Sequence, residues 1–462
     1  MKILLISNLY PPQIVGGYEV LAYQMTERLR ADGHNVYVLT SNEVIRSEFV
    51  AEKFEHIHPR LRIAEQTFSD NSGDYRFQAH VWQRFNNEEL HRVVDEFRPD
   101  VAYIWNTEGL GTFGIIHTLT CHGLPMVWHL QDSVPYKAIE AAGSHAALVS
   151  DFFAREKSLR IITVSKTLTE ELTSYGTQFA HPITEVRNWI LPHSRERSDF
   201  WSPATDRPLR ILFAGQLAPH KGFDFAIDAL SALHNSGLSH FTFTLVGNQT
   251  KYVESALQRA HENGWGEKIS FDGAKTMAEM ADSYLAHDLF LFPTWSRDPM
   301  PIVVLESASL GCVPMLSEYC GTAEWVQDGI DAILVERDVS AIVASLTRVM
   351  SEPDYLSGIA RYGLEKMQSN FSIDDPLSLV KSLLNSPDKG VTEDFYTSTR
   401  TLEATLLHKE TGPSQQSLAA RRLVKRALSG AKLKFVIWVD GLPWVRDMAG
   451  TRARNRENFP KG

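Results

Sequence analysis

Short apolar runs alternate along most of the chain with longer segments whose apolar positions recur at helical spacing. That alternation marks βα units around a parallel sheet, whose strands are covered on both faces and so read as continuous apolar stretches. The pattern starts twice. In the first half it predicts a strand at Lys2 to Ser7, a loop at Pro11 to Gly17, a helix at Glu19 to Arg30 stopped by Gly33, and a strand at Asn35 to Thr40. In the second half it predicts a strand at Leu209 to Ala214, a loop at Gly215 to Gly222, a helix at Asp224 to Asn235 and a strand at Thr242 to Val246. Each half reads as one Rossmann-like unit, and a cleft between two such units is a natural ligand site.

The stretch His193 to Pro208 is polar and charged and carries Pro203 and Pro208, which reads as a linker. After Phe371 the pattern fades, and Pro387 to Gly412 is polar with no clear period. The expected organisation is therefore a first domain over residues 1–192, a linker over 193–208, a second domain over 209–385 and an extension over 386–462. A chain of 462 residues is too long for one ordinary core, which agrees with two large domains.

Charge changes the picture at one end. The net charge is −10, but from Gln415 to Gly462 eleven Lys and Arg face three Asp and Glu, so a +8 tail follows a body at −18. The acidic body argues against nucleic acid as the main partner, while the tail suits anionic lipid, an acidic protein or no partner at all. From Ser417 to Trp438, Ala420, Leu423, Ala427, Ala431 and Phe435 recur at helical spacing, with Arg421, Arg422, Lys425 and Arg426 mostly off that stripe. This reads either as a basic amphipathic helix in peripheral contact with a membrane or as a helix docked on the protein itself. Cys121, Cys312 and Cys320 have no ligand spacing and cannot all pair, which suits a reducing compartment. Ile3 to Ile6 is too short for a signal-peptide core, and no apolar run approaches the ~20 residues of a membrane span. The expectation is a cytosolic protein that touches a membrane surface at most.

The candidate chemistry sits at strand ends. Neither half carries the Gly-x-Gly-x-x-Gly of a dinucleotide enzyme, which disfavours a nicotinamide dehydrogenase. After the first strand stand Gly16 and Gly17, just before a helix, where backbone N–H groups can approach a phosphate or sugar; a plain tight turn explains them equally well. The second half has Gly215-Gln216 at a strand end and Lys221-Gly222 before the next helix, with the lysine placed as a point charge for a diphosphate. Further on, a strand ends at Pro293 and a helix begins near Pro301, so that in the turn Pro301, Ile302, Val303 the free N–H groups of Ile302 and Val303 face the cleft. The β-branched run Ile302 to Val304 leaves a strand as the rival reading. Glu306, one turn in, can accept two hydrogen bonds from a ribose diol, and Asp298 can do the same for sugar hydroxyls. A carboxylate on an apolar helix is costly to bury without partners, which favours a functional role for Glu306.

The spacing Asp298-x7-Glu306, followed by Ser307-Ala308-Ser309-Leu310-Gly311-Cys312-Val313-Pro314 and Gly321-Thr322-Ala323-Glu324, resembles the retaining glycosyltransferases of family 4. The likeness runs from Lys2 to Phe371, about four-fifths of the chain. It implies an α/β fold of GT-B architecture: two facing Rossmann-like parallel-sheet domains with an interdomain cleft, here with a C-terminal extension. By that resemblance Gly16 and Gly17 lie against donor phosphates or acceptor, Lys221 neutralises the diphosphate, Glu306 holds the ribose and Asp298 stands near the transferred sugar. Val164-Ser165-Lys166 and Arg187-Asn188-Trp189-Ile190 look like the strand ends that finish the first domain.

Three positions depart from the family's pattern. The first acid, usually Glu, is Asp298; Gln216 stands where a diphosphate-binding Arg is usual; and the first domain offers only a displaced His129, which as a lone histidine reads more readily as core or surface. The resemblance implies retaining transfer of a hexosyl unit from a nucleotide-diphosphate sugar to a glycan or lipid-linked acceptor. No Asp-x-Asp element occurs in the chain, so neither a metal nor any cofactor beyond the donor is expected. A sugar-nucleotide epimerase or hydrolase of the same fold, and a non-catalytic sugar-nucleotide scaffold, are the rival readings.

Overall fold

The computed structural model describes residues 1–43, 55–64, 73–190, 197–386, 435–439 and 442–446. Two parallel sheets dominate it. The first contains β1 (Lys2–Ile6), β2 (Asn35–Ser41), β3 (Ile57–Leu61), β4 (Val101–Ile104), β5 (Met126–Leu130), β6 (Leu159–Thr163) and β7 (Thr184–Glu185), in the order β3-β2-β1-β4-β5-β6-β7. The second contains β8 (Leu209–Ala214), β9 (Phe241–Val246), β10 (Ile269–Phe271), β11 (Leu289–Phe292), β12 (Val313–Ser317) and β13 (Ile333–Val335), in the order β10-β9-β8-β11-β12-β13. Both are doubly wound. Strand order reverses between β1 and β4 and again between β8 and β11, and ligands of such sheets bind at the carboxyl ends of the strands flanking the reversal.

Helices cover both faces because each presents one apolar stripe. Gly17–Ala31 buries Leu21, Ala22, Met25 and Leu29 in the first core, and Phe223–Asn235 buries Ala226, Ile227, Leu230 and Leu233 in the second. The helix expected near Pro301 spans Ile302–Ser309, so the strand reading of its β-branched run is wrong. Pro301 precedes the first turn and supplies no side-chain cap, and Gly311, at φ +71°, ends the segment in a conformation that favours glycine.

Three stretches differ from expectation. The helix Asp374–Leu384, inside the segment assigned to the second domain, sends Ile373, Leu377, Val380 and Leu384 into the first domain's core. Its ends are held by Arg28 to Asp374, Arg187 to Asp375 and Lys381 to Asp32. Periodicity reveals an apolar stripe but not which sheet receives it. The expected linker is also less loose than its composition implies: Trp201 is buried in the second core, and Arg197, 3% exposed, pairs with Asp288 at 2.5 Å. Residues 193–196 of that linker lie outside the described residues.

Residues 392–462 form a separate unit, described here only as an antiparallel hairpin of β14 (Phe435–Val439) and β15 (Leu442–Arg446). The helix expected over Ser417 to Trp438 therefore gives way at Phe435 to a strand, in keeping with its β-branched and aromatic run. The rest of that expected helix falls outside the described residues.

Asp288 anchors the entry to the second domain, receiving Arg197, Arg207 at 2.7 Å and Arg210 at 3.1 Å while 1% exposed. Burial pushes its carboxyl up, and Arg207 and Arg210 outweigh burial and hold it below its ordinary range. Asp288→Asn leaves three cations around a neutral group and should cost about 3–5 kcal/mol, whereas Arg197→Met leaves two partners and should cost less. Calorimetric melting of the second-domain transition checks this, and an unshifted Asp288→Asn transition would contradict it.

Candidate active site

The loops after β8 and β11 flank the strand reversal of the second sheet, and close packing fuses them. Gly222 adopts φ +78°, and a Cβ there would overlap Pro293 O, so the two loops touch backbone to backbone. His220 O accepts from Trp295 N and Ser296 N, both at 3.1 Å, and from Thr294 Oγ1 at 3.1 Å. Gly247, from the loop after β9, similarly lies on Gly215 O. This packing brings Lys221 to Asp298, and the two form an ion pair with the lysine side chain 25% and the aspartate 9% exposed. Asp298 is fixed at its backbone too, since its O accepts from Gly321 N at 2.8 Å and its N donates to Tyr319 O at 3.4 Å.

Glu306 lies one turn into the Ile302–Ser309 helix and is half-buried, with Tyr284 OH as its side-chain donor at a long 3.4 Å. Burial raises its pKa to about 7, far above the ordinary carboxyl range. A carboxylate so poorly partnered has unused acceptor capacity. Gln216 Oε1 faces His220 Nε2 at 3.1 Å in the exposed part of the loop.

The first domain contributes its own switch-point loop. Gly17, opening the Gly17–Ala31 helix, packs on Ile302 of the second domain, so closely that a Cβ on Gly17 would stand 2.6 Å from Ile302 Cγ1. The helix start named by Gly16 and Gly17 thus meets the turn named by Pro301, Ile302 and Val303. The Gly16 N–H donates to Glu19 Oε2 at 3.0 Å, and Val15 N donates to Glu19 Oε1 at 3.1 Å. The sequence carries that signal as a glutamate three residues after the cap, a pattern that satisfies a helix start internally.

His129 is a core residue. Its Nδ1 meets Tyr103 OH at 2.9 Å, Trp105 covers it with ring centroids 4.6 Å apart, and burial lowers its pKa to about 3. Gln131, two residues on, reaches the cleft instead: it exchanges hydrogen bonds with Asn188, whose Nδ2 donates to Met300 O at 2.8 Å. Asp132 receives Arg297 at 3.1 Å and Lys137 at 3.3 Å. Glu324 accepts from Lys166 N at 2.8 Å and Thr167 N at 2.6 Å, capping a first-domain helix from the second domain. Gln131, Arg297 and Tyr284 carry no sequence signal of these roles, whereas Asn188 and Glu324 lie within motifs already singled out. Among the described residues, no group of three or more His, Cys, Asp and Glu could hold a metal ion, and no helix is long and apolar enough to cross a membrane.

Comparison with known proteins agrees with this fold. The family model described as Glycosyltransferase Family 4 matches residues 15–190, and that described as Glycosyl transferases group 1 matches 208–352. Glycogen synthase of Mycobacterium tuberculosis is 26% identical over 80% of this chain and 91% of its own length. Sucrose-phosphate synthase from Thermosynechococcus elongatus superposes with a TM-score of 0.64 at 17% identity, covering 83% of this chain and 98% of that one. Anabaena HepE, solved in complex with UDP and glucose, superposes with a TM-score of 0.61 at 16% identity, covering 84% and 100%. Two Rossmann-like domains, the acid pair at the second switch point and both family matches lead to one assignment: the chain belongs to the GT-B glycosyltransferases, with the family 4 and group 1 domains in succession.

Proposed function

We propose that this glycosyltransferase moves a hexosyl unit from a nucleotide-diphosphate sugar to a glycan or lipid-linked acceptor, with retention of anomeric configuration and without a metal. The observation that carries the reading is Lys221 held at the mouth of the β8/β11 crevice by Asp298, beside a helix start that no side chain caps. A diphosphate entering there competes with the Asp298 carboxylate for the ammonium and gains the positive end of the Ile302–Ser309 helix. Glu306, rich in unused acceptor capacity, takes the ribose diol. Asp298, once released, is free to accept from hydroxyls of the transferred sugar. The complex of HepE with UDP and glucose supports such a donor class.

In the proposed reaction the bond from the anomeric carbon to the phosphate oxygen breaks, and its electron pair stays on the leaving diphosphate. Lys221 and the helix start stabilise that charge as preorganised groups. The acceptor oxygen bonds to the same face of the anomeric carbon, and its proton passes to the departing phosphate oxygen. Closure of the two domains excludes water and so favours transfer over hydrolysis. Gln216 supplies a hydrogen bond but no charge, so Lys221 is the cation on which the leaving group depends.

The basic tail extends the reading. With a +8 surplus from Gln415 onward, it is proposed to draw the enzyme to an anionic membrane face that bears a lipid-linked acceptor. Co-sedimentation of the full chain with phosphatidylglycerol-containing and phosphatidylcholine vesicles should favour the former and weaken with salt. Equal binding to both would count against it.

The site makes its own test. Because the free Glu306 carboxyl titrates near pH 7, binding of a sugar nucleotide to its ionised form should weaken as pH falls below about 7, by up to about tenfold per unit. Calorimetry with UDP-, GDP- and ADP-sugars across pH 5.5–8.5 reads this directly, since a diphosphate diester does not itself titrate there. Glu306→Gln should flatten the profile, and Lys221→Ala should abolish transfer while the protein stays folded. Unchanged transfer in Lys221→Ala, or a pH profile indifferent to Glu306→Gln, would overturn the assignment.

A further inference from the structure

Arg297 immediately precedes Asp298, yet its side chain leaves the second domain. Its Nη2 donates to Asp132 Oδ1 at 3.1 Å, and its Nε is ion-paired with Glu171 Oε2. Asp132 stands just past β5, and Glu171 lies in the first-domain helix Lys166–Ser174. The Arg297 and Glu171 side chains are each only 17% exposed. A guanidinium that far out of water is expensive unless carboxylates meet it, and two do. Burial lowers its pKa, while Asp132 opposes that shift.

Two other contacts cross the cleft beside it: Asn188 to Met300 O, and Glu324 to the start of the helix that carries Glu171. Both are held by neutral groups on one side. Arg297 differs in pairing a full charge with two carboxylates of the acceptor-side domain. It also differs in being bonded directly to the residue that holds Lys221.

Resting on the transferase reading, we propose that Arg297 is a positioning residue: pairing with Asp132 and Glu171 fixes the Asp298 loop against the acceptor-side domain in the closed cleft. It acts through Asp298, which faces the transferred sugar, and leaves the diphosphate to Lys221 and the ribose to Glu306. Losing it lets the loop settle elsewhere, and a displacement near 1 Å between reacting groups can cost on the order of 10²-fold in rate.

The test uses the full chain as wild type, Arg297→Ala, Arg297→Lys, Glu171→Gln and the Arg297→Ala/Glu171→Gln pair. Affinities for UDP, GDP and ADP, which lack the transferred sugar, should stay within about twofold of wild type in all variants, because an interaction that only positions the reacting groups shows in kcat rather than in nucleotide binding. In Arg297→Ala, kcat should fall on the order of 10²-fold. Lysine, which keeps the charge but not the two-directional fork, should recover roughly a tenth of wild-type kcat. The double variant should be no worse than Arg297→Ala, because both changes remove one interaction. Wild-type kcat in Arg297→Ala, or a loss that appears equally in nucleotide affinity, overturns the proposal. If the wild type transfers from no UDP-, GDP- or ADP-sugar, the transferase reading fails separately. Deuterium uptake then decides the clamp alone: Arg297→Ala should raise exchange in both 294–300 and 166–174, and unchanged uptake in those segments refutes it.

Discussion

Gly222 and Pro293 share a space that a single methyl group would fill. Because the loop after β8 turns in a left-handed conformation at that glycine, it lies directly on the backbone that leaves β11. His220 O then collects two backbone N–H groups from the far loop, and Lys221 is set against Asp298. The Lys221 to Asp298 pair depends on that approach. Without it the lysine would be one more solvated surface cation, and the uncapped helix start at Ile302 would have no charge beside it. A glycine thus does in backbone space what no side chain could, and the cation follows from where the chain is forced to run.

The same economy governs how the halves meet. Gly17 lets the first-domain helix start rest on Ile302, while Glu19 satisfies the N–H groups that a tight turn leaves open. The first domain therefore arrives at the cleft with its helix start already neutralised, and the second arrives with Lys221 partnered by Asp298 and Glu306 short of partners. On the proposed reading, that asymmetry gives the second domain the binding of a doubly charged diphosphate. The return of Asp374–Leu384 to the first core joins the halves a second time, so the chain crosses between them twice.

How much of this could be read beforehand depended on whether the cause was local. Strand and helix positions followed from periodicity, and Lys221, Asp298 and Glu306 stood out because glycine, proline and acid recur there at fixed spacings. The helix at Ile302–Ser309 was legible through Pro301 despite its β-branched start. Arg297 was not, because its partner Asp132 lies 165 residues away and nothing in the local pattern separates a buried bridging arginine from a solvated one. His129 and Gln131 show the same limit within three residues: β5 holds His129 in the core and ends at Leu130, so Gln131, just past it, can reach Asn188. The destination of the last helix stripe was hidden for the same reason, since an apolar face does not name its receiver.

On the proposed reading the donor sits in the β8/β11 crevice with its diphosphate on Lys221 and its ribose on Glu306. A crystal structure of the full chain with a bound sugar nucleotide tests it most directly. The expected result is a diphosphate oxygen within hydrogen-bond distance of Lys221 Nζ, the ribose hydroxyls on the Glu306 carboxylate, and Asp298 released from the lysine. A nucleotide seated instead at the β1/β4 crevice of the first domain, with the Lys221 to Asp298 pair intact, would contradict it.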